Sequence, residues 1–145
     1  MANHENLRTI TQTVYDSVLG YKTAVSKATD PELKSHLQRR LAKREETLGL
    51  LNAQLEANGQ QAVNDGSLAG DLHRIWTDIA DAFEDSNEAA AERVDEGESY
   101  LAEKLEALIG DAVEDDPAIA NVLQQALAEI KEASALADMV EDVYD

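Results

Sequence analysis

The side chains of this chain with chemistry to offer are three histidines, a set of glutamates at helical spacing and one inward arginine. There is no Cys, which excludes thiolate metal ligation, a cysteine nucleophile and disulfides. Carboxylates and imidazoles could instead hold a pair of divalent metals between helices. Such a centre takes four inward carboxylates and two His, partly supplied by Glu-x-x-His on two helices, because that spacing sets both ligands on one face. No Glu-x-x-His occurs anywhere in the chain. His36 follows Glu32 by four residues at a helix start, His73 falls in a connection, and His4 is near the terminus. In Glu129-Ile130-Lys131-Glu132, Glu132 stands where the motif would want His. Glu45, Glu98, Glu129 and Glu132 remain as weak candidates for an all-carboxylate site holding iron or manganese. The expectation is that they flank the core and face water, with no metal and no other cofactor.

Arg44 sits at an inward position between Leu41 and Leu48. It could be the positive half of a buried pair with Glu98 or Glu129, in the place of a lost metal site. It could also lay its stem along the bundle edge with the guanidinium in water, and that is the expectation. His73, Arg74 and Trp76 form a second constellation. A neutral His beside Trp could accept a proton or bind a ligand. No Ser or acid at a defined spacing completes a nucleophilic set, so no catalytic residue is assigned. The expectation is that Trp76 pins a connecting helix to the bundle while His73 and Arg74 cap it or pair with nearby acids.

The elements that position these residues are helices. Of 145 residues 43% are apolar and 4% aromatic, with 2 Pro and 7 Gly, and the chain is rich in Ala, Leu and Glu. Length and periodicity predict one all-α domain over residues 1–145. The first helix is expected over 4–28, with Asn3 as N-cap and Leu7, Ile10, Val14, Val18, Tyr21 and Val25 inward. Asp30-Pro31 opens the second, a cap followed by a residue that needs no N–H, and Asn58-Gly59 ends it. A short helix is expected over 68–84, capped by Ser67, with Leu68, Leu72, Ile75, Trp76, Ile79 and Phe83 inward. Asp85 with Glu88 resembles a capping pair for a helix over 86–109. Asp116-Pro117 opens the last, over 117–143. Gly20, Gly49 and Gly97 fall inside helices, where each costs roughly 1 kcal/mol against Ala, so close helix approach is expected at all three. The connection after Thr29 is very short and forces antiparallel neighbours, as does the one before Pro117. The long connection from Gly59 to Asp85 can travel the length of a bundle. Two hairpins joined by such a crossover make a ferritin-like four-helix bundle with a short fifth helix.

Charge narrows the partners. Acids outnumber bases 30 to 12, a net charge of −18, and residues 78–145 hold 21 of the acids against Arg93, Lys104 and Lys131. Such a surface repels nucleic acid and anionic membrane. A basic protein partner, or self-association as a homodimer through the bases between Lys22 and Arg44, remains open beside plain solubility. Mimicry of nucleic acid ranks last. No apolar run approaches the roughly 20 residues of a membrane span, and the N-terminus lacks a basic stretch followed by an apolar one. A cytoplasmic location is the expectation.

Several stretches carry a resemblance: Gly20-Tyr21, Asp30-Pro31-Glu32-Leu33-Lys34, Asp65-Gly66-Ser67-Leu68-Ala69-Gly70-Asp71-Leu72-His73-Arg74-Ile75-Trp76, Glu96-Gly97-Glu98 and Ala128-Glu129-Ile130-Lys131. On these the chain resembles the ferritin-like bacterial family catalogued as domain of unknown function 2383, with the crossover motif the most specific. The resemblance implies a ferritin-like fold and a bacterial source, and it implies no activity. The company such families keep adds an expectation of association with stress. The resulting expectation is a non-enzymatic interaction or structural protein lacking a complete di-iron site, with a metal-binding carboxylate bundle as the alternative.

Overall fold

A computed structural model describes residues 2–66, 71–112 and 116–132, with side chains from Leu7 onward except at 67–72 and 110–115. Among these residues there are five α-helices and no strand: α1 (Ala2–Lys27), α2 (Pro31–Ala57), α3 (Asp71–Ala82), α4 (Asn87–Ala112) and α5 (Pro117–Glu132). The ends follow local chemistry. Asp30 accepts a hydrogen bond from the Leu33 N–H at 2.9 Å and caps α2, while Pro31 occupies a first-turn position. Gly59, at φ 78°, takes the left-handed conformation that stops α2. Asp116 accepts from the Ala118 N–H at 3.0 Å and starts α5.

Four expected boundaries are corrected, the first being that α4 runs on to Ala112 instead of ending at 109, since glycine at 110 is weak in a helix but does not stop it. Asn3 already lies inside α1, which begins at Ala2, so it is not the cap. Ser86 replaces Asp85 as the cap of α4, its hydroxyl accepting from the Ala89 N–H at 2.9 Å, because the chain turns through Phe83–Asp85 before it can enter the helix. The described part of α3 ends at Ala82 rather than residue 84. The proposed Ser67 cap and the continuation of the last helix past Glu132 lie outside the described residues.

Hydrogen bonds fix the course of the chain. The two-residue turn after Ala28 makes α1 and α2 antiparallel. The crossover then climbs back along α1: Arg8 donates to the Gln61 carbonyl, Gln12 to that of Asp65 and Tyr15 to that of Asn64, each at 2.8 Å. Asn52 on α2 pins the same stretch through both the N–H and the carbonyl of Val63. At the far end Asn87 accepts from the Thr29 and Asp30 N–H groups and donates to the Thr29 hydroxyl. The start of α4 is thereby tied to the α1–α2 turn, so α2 and α4 run the same way. The four longer helices pack in the cyclic order α1, α2, α5, α4, and α3 lies against α1 and α4. This is a helical bundle whose core divides in two. One apolar cluster includes Leu7, Ile10, Val14, Leu51, Leu55, Leu101, Leu105 and Leu123. The other includes Tyr21, Ala24, Leu33, Leu37, Trp76, Ile79 and Val94. The layer between them is polar.

Trp76 sets the position of α3. A Cβ added at Gly20 would lie 2.0 Å from Trp76 Cδ2, so only glycine lets the indole seat on α1. A Cβ at Gly97 would lie 2.9 Å from Ile75 Cγ2, the same requirement on α4. Gly49 departs from expectation: it is exposed, and nothing lies within 4 Å of where its Cβ would be.

Candidate functional site

The polar layer is built around Arg44, which is 0% exposed. This overturns the expectation of a guanidinium in water. A bundle edge would have offered Arg44 solvent, but Leu37, Leu51 and Leu55 on the same face are fully buried and carry the intervening turn inward with them. Burial of an arginine is tolerable only where its five N–H donors all find acceptors. Here they do. Nε donates to Glu129 Oε1 at 2.8 Å and Nη1 to the Ser17 hydroxyl at 2.8 Å. Nη1 also donates to Glu98 Oε1 at 3.1 Å, and Nη2 to Glu98 Oε2 and to Glu129 Oε2. The Ser17 hydroxyl donates to the Val14 carbonyl at 2.7 Å, which leaves its oxygen free to accept. Thr47 donates to Glu129 Oε1 at 2.8 Å. The guanidinium carbon stands 5.3 Å from the centre of the Tyr21 ring, close enough for a cation–π contribution. All four longer helices therefore meet on one side chain: Ser17 and Tyr21 from α1, Arg44 and Thr47 from α2, Glu98 from α4 and Glu129 from α5.

The electrostatics follow from one guanidinium shared by two carboxylates. Burial works against the charge on Arg44, but attraction to Glu98, with Tyr21 and Glu129 behind it, outweighs that and holds its pKa above the ordinary value. For Glu98 burial dominates and pushes the pKa up; Arg44 opposes this and the nearby Glu129 charge reinforces it. Burial also raises the Tyr21 hydroxyl well above its usual range, helped by Glu98. The hydroxyl closes no hydrogen bond among the described residues.

Of the residues singled out by sequence, Arg44, Glu98 and Glu129 come together and the others do not; Glu98 is buried and Glu129 nearly so, against the expectation that they face water, because both turn inward onto the guanidinium. Glu45 points to solvent. Glu132 is exposed and stands 3.7 Å from the exposed Lys43 Nζ. Tyr21, Ser17 and Thr47 were not expected in the site. Their signal is a rough level match: counted along antiparallel helices from the turn at residues 28–30, Ser17 and Arg44 fall within about one helical turn of the same height. A carboxylate-bridged di-metal centre does not fit this layer. Only two carboxylates converge, both are engaged by Arg44, and among the described residues no group of three His, Asp or Glu is placed to hold a metal ion. His73 and Arg74 are exposed on α3 and take no part in this layer. His73 and the buried Trp76 line a groove of about 280 Å³ against α1, with Leu19, Gly20 and Thr23 opposite. The Trp76 ring centre lies 5.0 Å from that of Tyr21.

A family model matches residues 3–111, which carry Ser17, Tyr21, Arg44, Thr47 and Glu98. The chain belongs to the family described as Domain of unknown function (DUF2383). Glu129 lies beyond the part matched to DUF2383. No curated protein and no solved structure matches the chain. No helix among the described residues is long and apolar enough to cross a membrane.

Proposed function

We propose that this DUF2383 chain is a ferritin-like four-helix bundle without a working di-metal centre, acting as a structural or interaction protein rather than an enzyme. One observation carries the reading. The two carboxylates that converge in mid-bundle are both engaged by the chain's own guanidinium, with every N–H of Arg44 spent. The up-down-down-up course with its crossover along α1 supports the ferritin-like assignment. In that arrangement the centre of the bundle is where metals are held, and Arg44 occupies it as a fixed cation. The layer supplies no nucleophile with a base, because the Ser17 hydroxyl donates to the Val14 carbonyl and the Thr47 hydroxyl to the Glu129 carboxylate that also holds the arginine. Its contribution is to lock four helices in one register, in the manner of buried polar groups that specify a fold. The function then resides on the outside, where a net charge of −18 suits a basic protein partner. The association with stress expected of the family is a further part of this proposal.

The test is elemental analysis of protein purified without chelator from iron- and manganese-supplemented cells, with native mass recorded on the same sample. The expected result is substoichiometric iron and manganese on a folded chain. Near-stoichiometric metal that is lost in Glu98→Gln and Glu129→Gln would overturn the proposal and establish the carboxylate bundle as a metal binder.

A further inference from the structure

We propose that the outer face of α2 around Gly49 and Leu50, with the adjoining face of α5, is the contact between two copies of this chain. Leu50 is 48% exposed, the most exposed large apolar side chain among the described residues. Leu19, the other, lies against Gly66 and the crossover groove. Beside Leu50 stands Gly49, in the interior of a helix, where glycine weakens the helix relative to alanine. Gly20 and Gly97 are explained by Trp76 and Ile75 pressed against them, whereas nothing beyond the helix's own backbone and chain neighbours lies within 4 Å of where a Cβ at Gly49 would be. A residue that breaks a local rule with no compensation inside the protomer points to compensation outside it.

Charge selects the occupant. The chain carries 30 acids and 12 bases, yet no residue from Thr47 to Leu55 is charged, and none from Pro117 to Ala128. These stretches adjoin in space, because Arg44 and Thr47 bond to Glu129 and Lys43 stands beside Glu132, with α2 and α5 running in opposite directions from there. Their outward residues are Gly49, Leu50, Ala53, Asn121, Gln124, Gln125 and Ala128. A molecule at net −18 repels its own copy, and this neutral face is where that repulsion is least. The edges of the face are self-complementary. Two α2 helices crossing antiparallel at Gly49 and Leu50 bring Lys43 of one copy opposite Glu56 of the other, twice over, as a twofold contact requires. Both residues are exposed. A cationic partner would be expected to seek the acidic surface instead.

Sedimentation across the micromolar range, with native mass on the same samples, tests this on the full chain. The wild type is expected to be a dimer. Leu50→Glu is expected to raise the dimer dissociation constant by at least about tenfold, as loss of a central apolar anchor does. Gly49→Ala should raise the melting temperature of the monomer while weakening the dimer, a combination that an idle surface glycine would not give. Lys43→Glu should weaken association, and adding Glu56→Lys should restore it. A wild type that stays monomeric throughout, or a dimer indifferent to Leu50→Glu and to the charge exchange, would overturn the proposal. Circular dichroism on each variant separates lost association from lost folding. None of these outcomes depends on the metal content of the protein.

Discussion

Replacing Arg44 by Met removes the guanidinium while keeping most of the side chain's volume, so the loss is electrostatic rather than a cavity. Five hydrogen bonds disappear, and Glu98 and Glu129, at 1% and 12% side-chain exposure, are left facing each other with no cation between them. Removing one partner of a buried ion pair costs about 3–5 kcal/mol, because the remaining charge is stranded. A domain of this size has roughly 5–15 kcal/mol in total, so the variant loses a large share of its stability and melts roughly 10 °C lower. Urea unfolding followed by circular dichroism gives the free energy directly. A second variant, Arg44→Met with Glu98→Leu and Glu129→Leu, should recover most of the loss, since an apolar replacement of an entire buried ion cluster is often neutral or stabilising. A loss below about 1 kcal/mol for Arg44→Met, the worth of a solvent-exposed pair, would refute the buried, five-donor arrangement and with it the role given to Arg44.

The raised pKa of Glu98 makes a pH prediction. A carboxyl whose folded pKa lies above its unfolded value favours folding most below the unfolded pKa, near 4.5, and that contribution is lost as pH rises through the folded pKa. Glu98→Gln, which keeps an acceptor but no charge, should therefore gain stability relative to the wild type as pH rises through that window; a constant difference in urea midpoint across it would contradict this. Gly20→Ala places a methyl 2.0 Å from Trp76 Cδ2, so the indole must leave its seat. Destabilisation of about 1–3 kcal/mol is expected, with a red shift in the emission of the chain's single Trp, and an unshifted spectrum would show that α3 is held by something other than Trp76.

Much of the architecture was legible from local chemistry. Asp30-Pro31, Asn58-Gly59 and Asp116-Pro117 mark helix ends through bonds made within a few residues, and the structure uses all three. The inward stripe of α1 from Leu7 to Tyr21 is buried as its spacing indicates. Errors arose where a neighbour decides. Ser86 displaces Asp85 as a cap because the turn before α4 is longer than the pattern shows. Gly49 looked like Gly20 and Gly97 in sequence, but a glycine's purpose lies in what presses on it.

The site shows the same division. Sequence alone determined that helices form, where most of them stop, that no thiol or Glu-x-x-His chemistry is available, and that the mid-helix polar candidates are Arg44, Glu45, Glu98, Glu129 and Glu132. Helical periodicity places a residue on a face, and that is a local property. Whether a charge on that face is in water or sealed depends on which residues arrive from other helices. Glu98 is 54 residues from Arg44 in the chain and Glu129 is 85 away. Only the tertiary structure brought both carboxylates and the Ser17 hydroxyl onto one guanidinium, and that convergence is what makes a buried arginine stable.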